Sequence, residues 1–427
     1  MNKMAIIVSL LLIILAAFYV LLTIAFTAKL SQYHNQKNHK NQTDILPDEK
    51  LPSTSIILCL RGADPFLPKC LSALLNQNYP NYNLQIVIDS YEDPAWQMVS
   101  QIVKEGTVKQ VKINSLVVPR STCSLKCSAL VQAISNLDKN CEVVALVDAD
   151  TIVHANWLRE LVTPLTNPKV GATTGNRWYL PQGKYWGSVV RYIWNVAAVA
   201  QMYFYRIPWG GSLAIKTEVC RQTELLSKWE QAFNEDTMLK RILGQQGLKV
   251  EFVPSILMVN REESELKSFF NWVKRQLLCS RLYHSSWNAI AIHGILTTVL
   301  PSITIMFLAI TLLNEEWFNL AYLSGGLIIY VITQILCLII LELAVRNTVK
   351  QKGETLPSID IGSALKVFLT LPLTQIVYAL ALTSAMFMRK VEWRGITYQI
   401  KGPWDIKLVK YQPYTYSEKT VDSMVSL

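Results

Sequence analysis

Two aspartates separated by one residue, Asp148 and Asp150, directly follow the apolar run Val143-Val-Ala-Leu-Val147. Carboxylates that leave a strand end together suit a hard, oxygen-seeking divalent cation, which can bridge one of them to a diphosphate and offset charge developing on a leaving group. Taken alone, the pair is explained as well by a cap on the next helix. Its company favours the chemistry: Asp89 ends an earlier apolar run, Trp209-Gly210-Gly211-Ser212 is a turn that brings backbone close to something, and Glu235-Asp236 is expected to open a helix.

The elements that must position these residues alternate. Thr54 to Leu60 has the length and composition of a buried strand, followed by the loop Arg61-Gly-Ala-Asp64 and by a helical pattern of Leu67, Cys70, Leu71, Leu74 and Leu75. A strand at 84–88, a helix near 95–104, a strand at 111–118, a helix at about 124–135 and the strand 143–147 continue the order. Strand and helix in alternation predict an α/β fold with a mostly parallel sheet, whose ligand site lies beyond the carboxyl ends of the strands, where Asp89 and Asp148 both fall.

The chain has 427 residues, of which 51% are hydrophobic and 17% charged, with a mean hydropathy of +0.23. Soluble chains carry about 25% charged residues, so part of this one belongs in lipid. Met4 to Ala28 runs almost without charge and is long enough to span hydrocarbon, which favours an uncleaved anchor over a signal peptide. Three further apolar stretches cover about 289–313, 317–345 and 364–388. The expected organisation is an anchor at 1–30, a polar linker over 34–52, a catalytic domain at 50–265, an interfacial helix at 266–288, a transmembrane region at 289–388 and a tail at 389–427.

Lys29, Lys37, Lys40 and Lys50 after the first span, and Lys267, Lys274, Arg275 and Arg281 before the second, place both flanks and the domain between them on the cytoplasmic side. Arg346, Lys350 and Lys352 fit the same side. Four simple spans would then put the tail outside, against its Arg389, Lys390, Arg394, Lys401, Lys407 and Lys410. The stretch 364–388, interrupted by Pro372, is therefore expected to be re-entrant or irregular. The net charge of +10 fits cytoplasmic loops and anionic headgroups, and no basic run interleaved with aromatics suggests nucleic acid. The eight cysteines lack paired CxxC spacing and read as free thiols; Cys123 and Cys127 alone do not close a zinc site.

Over about 54–283 the sequence resembles GT-A type family 2 glycosyltransferases, and most closely their ceramide glucosyltransferase-like membrane branch, family 21. The matching residues are Asp89 in VIDSYEDPAW, Asp148 and Asp150 in LVDADT, the PWGGSLAI segment with Gly210 and Gly211, Glu235 and Asp236 in FNEDTML, and Arg275-Gln276 in WVKRQLLCSR. The resemblance extends to Val391-Glu-Trp-Arg-Gly-Ile-Thr-Tyr398. It implies an inverting transfer of one hexose from a nucleotide-diphosphate sugar, a UDP-hexose, to a lipid hydroxyl at the cytoplasmic face. Carried over, Asp89 contacts the nucleoside, Asp148 the ribose and phosphate region, and Asp150 a Mg²⁺ or Mn²⁺ ion. Asp236, beside Glu235, is the general base, set against a first-turn helix acid favoured by the dipole. Lys126 stands where the family often has a basic residue near the phosphates, although a solvated helix lysine is an equal reading.

Leu266, Phe269, Phe270, Val273 and Leu277 recur at helical spacing, so their helix is expected in the membrane interface, with Arg275, Gln276 and Arg281 toward the diphosphate and Lys267 and Lys274 toward headgroups. The Q/RxxRW pattern of processive synthases is broken, because Cys279-Ser280 stand where Arg-Trp belongs. That departure weakens a rival reading as a polysaccharide synthase. A scaffold that only retains the fold is weakened by Asp236, for which a binding module has little use. The aromatic stretch Tyr185 to Tyr205 fits an acceptor channel or a buried domain helix equally. Trp393-Arg394-Gly395 either returns to the site or anchors the tail at the interface.

Overall fold

In the computed structural model of the chain, residues 2–39, 46–105, 110–181, 185–354, 356 and 361–414 are described. The N-terminal helix α1 (Asn2–His39) continues through the first part of the expected linker, of which 40–45 lie outside the described residues. The domain that follows is built on seven strands: β1 (Thr54–Leu60), β2 (Tyr82–Ile88), β3 (Val111–Ser115), β4 (Val143–Val147), β5 (Val170–Tyr179), β6 (Ser212–Lys216) and β7 (Lys249–Asn260), in the order β3-β2-β1-β4-β6-β5-β7. All neighbours are parallel except β6, which runs antiparallel to β4 and β5.

Strand side chains alternate between faces, so β1 buries Ile56 and Leu58 on one side and Ile57 on the other. The first face is covered by α2 (Leu67–Leu75), α3 (Pro94–Glu105) and α5 (Trp157–Val162). The second is covered by α4 (Leu125–Ser135), with α7 (Thr217–Gln222), α8 (Leu225–Trp229) and α9 (Leu239–Gln245) beyond it. Ser124 starts α4 by accepting the N–H of Cys127, which also seats both cysteines in the core as packing. The chain reverses its strand order between β1 and β4, the place where an open α/β sheet leaves a crevice.

Helix α6 (Trp186–Tyr205) leaves the sheet to join α10 (Leu266–Tyr283), α11 (Trp287–Leu313), α12 (Trp317–Lys350) and α13 (Ile361–Phe387). Four helices, α1, α11, α12 and α13, are long and apolar enough to cross a membrane. Two expectations need correction. The stretch around Pro372 is a continuous helix rather than an irregular segment. The apolar side of α10, Phe269, Val273 and Leu277, is buried with Val190 of α6 and Val377 and Ala381 of α13, so protein covers the face expected to meet lipid.

Before α13, Glu354 pairs with Arg261 at 2.7 Å and Lys352 with Glu160 of α5 at 2.6 Å. After it, the carbonyl of Met388 accepts from Arg281 at 2.9 Å. The residues before α13 therefore contact the sheet domain and those after it contact α10. The tail, of which 415–427 lie outside the described residues, forms a second antiparallel sheet of β8 (Lys390–Trp393), β9 (Ile396–Gly402) and β10 (Asp405–Lys410), which the sequence reading did not foresee.

Candidate active site

A cavity of about 890 Å³ opens where β1, β2 and β4 end. Asp89, Lys126, Asp148, Asp150, Gly210, Glu235, Asp236, Arg275 and Gln276 all line it, so residues spread over some 190 positions of chain face one space. Gly211 sits just behind: a Cβ there would lie 2.5 Å from Asp148 Oδ2 and 2.2 Å from the Trp209 ring.

The charges are interleaved. Lys126 Nζ lies 2.7 Å from Asp148 Oδ1 and 2.6 Å from Glu235 Oε1. On the other side of Asp148, Arg177 of β5 reaches Asp148 Oδ2 at 3.0 Å and Asp150 Oδ2 at 2.9 Å, with its guanidinium 4.5 Å over the Trp209 ring. Burial alone would push the Asp148 carboxyl up, but the Lys126 and Arg177 charges outweigh it and hold the group below the ordinary carboxylate range. Arg177 was missed in the sequence reading; its only signal was a cation inside a strand that is otherwise buried.

Glu235 and Asp236 do not open a helix. They lie in the turn before α9, with Trp229 Nε1 donating to the Glu235 carbonyl at 2.9 Å. Asp236 Oδ2 accepts the Gly210 N–H at 2.6 Å, and Asp236 Oδ1 is buried with no partner among the described residues. Burial first, then the charge of Glu235, pushes the Asp236 carboxyl up to about 7. A carboxylate of that basicity, in a residue that lines the cavity and has one oxygen unspent, can take a proton at neutral pH. Gly210 makes room for this arrangement, because a Cβ there would fall 2.0 Å from Glu235 Oε1.

Arg275 faces the cavity without an ion pair among the described residues, its guanidinium 5.2 Å over the Trp393 ring. Arg281, expected beside it, is elsewhere: it lies off the cavity and donates to the carbonyls of Met386 and Met388 at the end of α13, which need donors because a helix leaves its last carbonyls unsatisfied. Trp393 and Arg394 do return to the cavity wall. Asp89 is held by Arg61 and accepts from the Tyr411 hydroxyl at 3.1 Å.

Away from the sheet, the same cavity continues among the apolar helices. Tyr19 and Thr23 of α1, Gly294 and Thr297 of α11, Gln334 and Leu338 of α12, and Thr374 and Tyr378 of α13 line it. Helix α6 forms the wall between the halves, since Arg191, Trp194, Ala198 and Gln201 face the cavity while Val190 and Val199 are buried in cores.

The donor set also bears on a metal. No three His, Cys, Asp or Glu come together as a metal-holding group among the described residues. Asp148 and Asp150 offer only oxygens. Lys126 and Arg177 hold both oxygens of Asp148 and Arg177 holds Asp150 Oδ2, so Asp150 Oδ1, with only the Thr151 hydroxyl at 3.4 Å, is the oxygen left toward an ion. Mg²⁺ or Mn²⁺ is commonly held by one or two carboxylates and completed by substrate phosphates, so the residues present fit such an ion.

The Glycosyl transferase family 21 profile matches residues 9–404 of the chain. The ceramide glucosyltransferase of Candida albicans is 33% identical over 70 residues, a match that takes in 16% of this chain and only 13% of that enzyme. Among solved structures, a mycobacterial protein aligns over 56% of this chain and 78% of its own at 16% identity and a TM-score of 0.40. Glucosyl-3-phosphoglycerate synthase from Mycobacterium tuberculosis, solved with Mn²⁺, UDP and phosphoglyceric acid, aligns over 57% of this chain and 79% of its own at 13% identity and a TM-score of 0.37.

Proposed function

The chain belongs to glycosyl transferase family 21, and we propose that this glycosyltransferase moves a single hexose from a UDP-sugar, UDP-glucose or UDP-galactose, to the hydroxyl of a membrane lipid at the cytoplasmic face, with inversion. The observation that carries the reading is the one cavity, which joins the carboxylates at the strand ends to the space between α1, α11, α12 and α13. A lipid hydroxyl can reach Asp236 along it while the acyl or ring portion stays among apolar helices.

In this reading Asp89 holds the nucleoside and Asp148 the ribose and phosphate region. Asp150 would hold Mg²⁺ or Mn²⁺, which supplies charge neutralisation for the diphosphate when bound. Lys126, Arg275 and Gln276 face the diphosphate, and an arginine without an ion pair suits it because the guanidinium fork matches phosphate oxygens. Gly210 and Gly211 keep the floor low enough for Asp236 and Asp148 to approach the donor. Asp236 Oδ1 takes the hydroxyl proton as the acceptor oxygen bonds to the anomeric carbon and the bond from that carbon to the diphosphate breaks on the opposite side. Glu235 keeps Asp236 basic by its charge and is itself held by Lys126. The cytoplasmic placement rests on the lysines and arginines that flank α1 and α11.

Membranes containing the chain, incubated with radiolabelled UDP-glucose or UDP-galactose, test this reading. A chloroform-soluble product with one added hexose supports it. A large water-soluble polymer, or label left wholly in the nucleotide, overturns it.

A further inference from the structure

We propose that the C-terminal sheet is a positioning element for the nucleoside end of the cavity, acting through Arg61 and Tyr411 on Asp89. The inference rests on the reading above in which Asp89 holds the nucleoside.

The tail is tied to the catalytic domain by its hairpin tip. Trp393 pairs with Ile396, and the two residues between them, Arg394 and Gly395, have φ of +46° and +77°. That is the left-handed pair a tight two-residue hairpin needs, and Arg394 adopts it without the freedom of a glycine. What holds Arg394 there is reciprocal. Its Nη1 donates to the Arg61 carbonyl at 2.5 Å and its Nη2 lies 3.4 Å from Asp64, while Arg61 Nε and Nη2 donate to the Arg394 carbonyl at 3.1 and 2.8 Å.

Arg61, the residue after β1, therefore has its guanidinium divided between the tail and the site. It also donates to the Gln412 carbonyl and pairs with Asp89, and it lies 5.1 Å over the Tyr411 ring. Tyr411 completes the set by donating to Asp89 Oδ2. Further along, the Tyr414 ring covers Gly62, where an added Cβ would meet ring atoms at 2.7–2.9 Å. The sheet behind this contact is firmly seated: the Tyr398 hydroxyl accepts the Leu125 N–H at 3.1 Å, and the Leu408 N–H donates to the Ser121 carbonyl at 2.8 Å.

Asp89 lines the cavity, whereas Tyr411, Gln412 and Tyr414 do not. Tyr411 thus holds Asp89 Oδ2 from outside the cavity, and Arg61, itself held by the tail, pairs with the same oxygen from the cavity wall. A carboxylate with its rotamer fixed in this way presents one geometry to a nucleoside. One released from Tyr411 samples others and binds more weakly.

The experiment is a titration of UDP, with Mg²⁺, into the full-length chain in detergent, comparing Tyr411→Phe, Asp89→Asn and the double variant, alongside steady-state kinetics. Tyr411 is exposed enough for its hydroxyl to be removed without opening a core. The expected result is a rise in UDP Kd of about tenfold for Tyr411→Phe, the scale of a hydrogen bond to a charged group. Donor KM should rise in parallel, with kcat and acceptor KM unchanged, and Tyr411→Phe should add little once Asp89 is altered. A merely structural tail would move kcat or acceptor KM instead. Unchanged UDP affinity in Tyr411→Phe, with Asp89→Asn weakened, overturns the positioning role alone; unchanged affinity in Asp89→Asn overturns the nucleoside reading and this proposal with it.

Discussion

The Gly210 N–H donates to Asp236 at 2.6 Å, so backbone rather than another side chain fixes the carboxylate and leaves its second oxygen for chemistry. Gly210→Ala would drive a Cβ to within 2.0 Å of Glu235 Oε1 and 3.2 Å of Asp236 Oδ2. The expected outcome is a loss of turnover of about 10²-fold, as for other small displacements of reacting groups, with some loss of thermal stability because the buried Glu235 oxygen is pushed off Lys126. Wild-type kcat in this variant would contradict the assigned geometry.

A carboxyl pushed up to about 7 is half protonated at neutral pH, and only its charged form can accept a proton. Activity should therefore rise with pH, by about tenfold per pH unit well below 7, and level off above about 8. Stability has the opposite sign: a raised folded pKa means that protonation favours the fold, so this contribution is present at low pH and lost as pH rises through about 7. A kcat/KM profile flat from about pH 5.5 to 8.5 would remove Asp236 as the titrating base.

Lys126 is shared by Asp148 and Glu235, and Glu235 is almost fully buried. Lys126→Met strands that carboxylate, which costs about 2–3 kcal/mol after allowing for the partial exposure of the lysine. Chemical denaturation should report this loss, and UDP affinity should fall as well. Equal stability with and without the lysine would mean that the bridge contributes nothing to the fold.

Arg275 and Arg281 should separate cleanly. Arg275→Ala removes a cavity-facing guanidinium and is expected to raise donor KM by about tenfold or more. Arg281→Ala uncaps the end of α13 and should lower stability with donor KM unchanged. Steady-state kinetics paired with thermal unfolding distinguish the two; the reverse pattern would restore Arg281 to the site.

Much of the fold was legible because its signals are local. Five apolar residues predict β4 to its last position, Val147, and the spacing of Leu67, Cys70, Leu71, Leu74 and Leu75 marks the buried face of α2. Asp89, Asp148 and Asp150 follow strands, so the sheet alone brings them to one edge. Arg177 was not legible, because a cation in a buried strand announces itself only through the two carboxylates it bridges across the sheet. The Arg61 to Asp89 contact was hidden for a related reason, since its tail partners lie more than 300 residues away. Arg281 misled because its charge and spacing match those of a phosphate ligand, while the carbonyls it satisfies belong to a helix distant in sequence. Pro372 misled because a proline inside an apolar helix removes one donor without breaking the helix when its neighbours pack tightly.

The central claim, that Asp236 takes the proton of a lipid hydroxyl inside a cavity shared by the sheet and the apolar helices, is tested most directly by Asp236→Asn. Purified in detergent, this variant should unfold at the same temperature as the unaltered chain, bind UDP with similar affinity, and form glycolipid from radiolabelled UDP-hexose at a rate lower by about 10³-fold or more. Glycolipid formation at an undiminished rate would contradict the account.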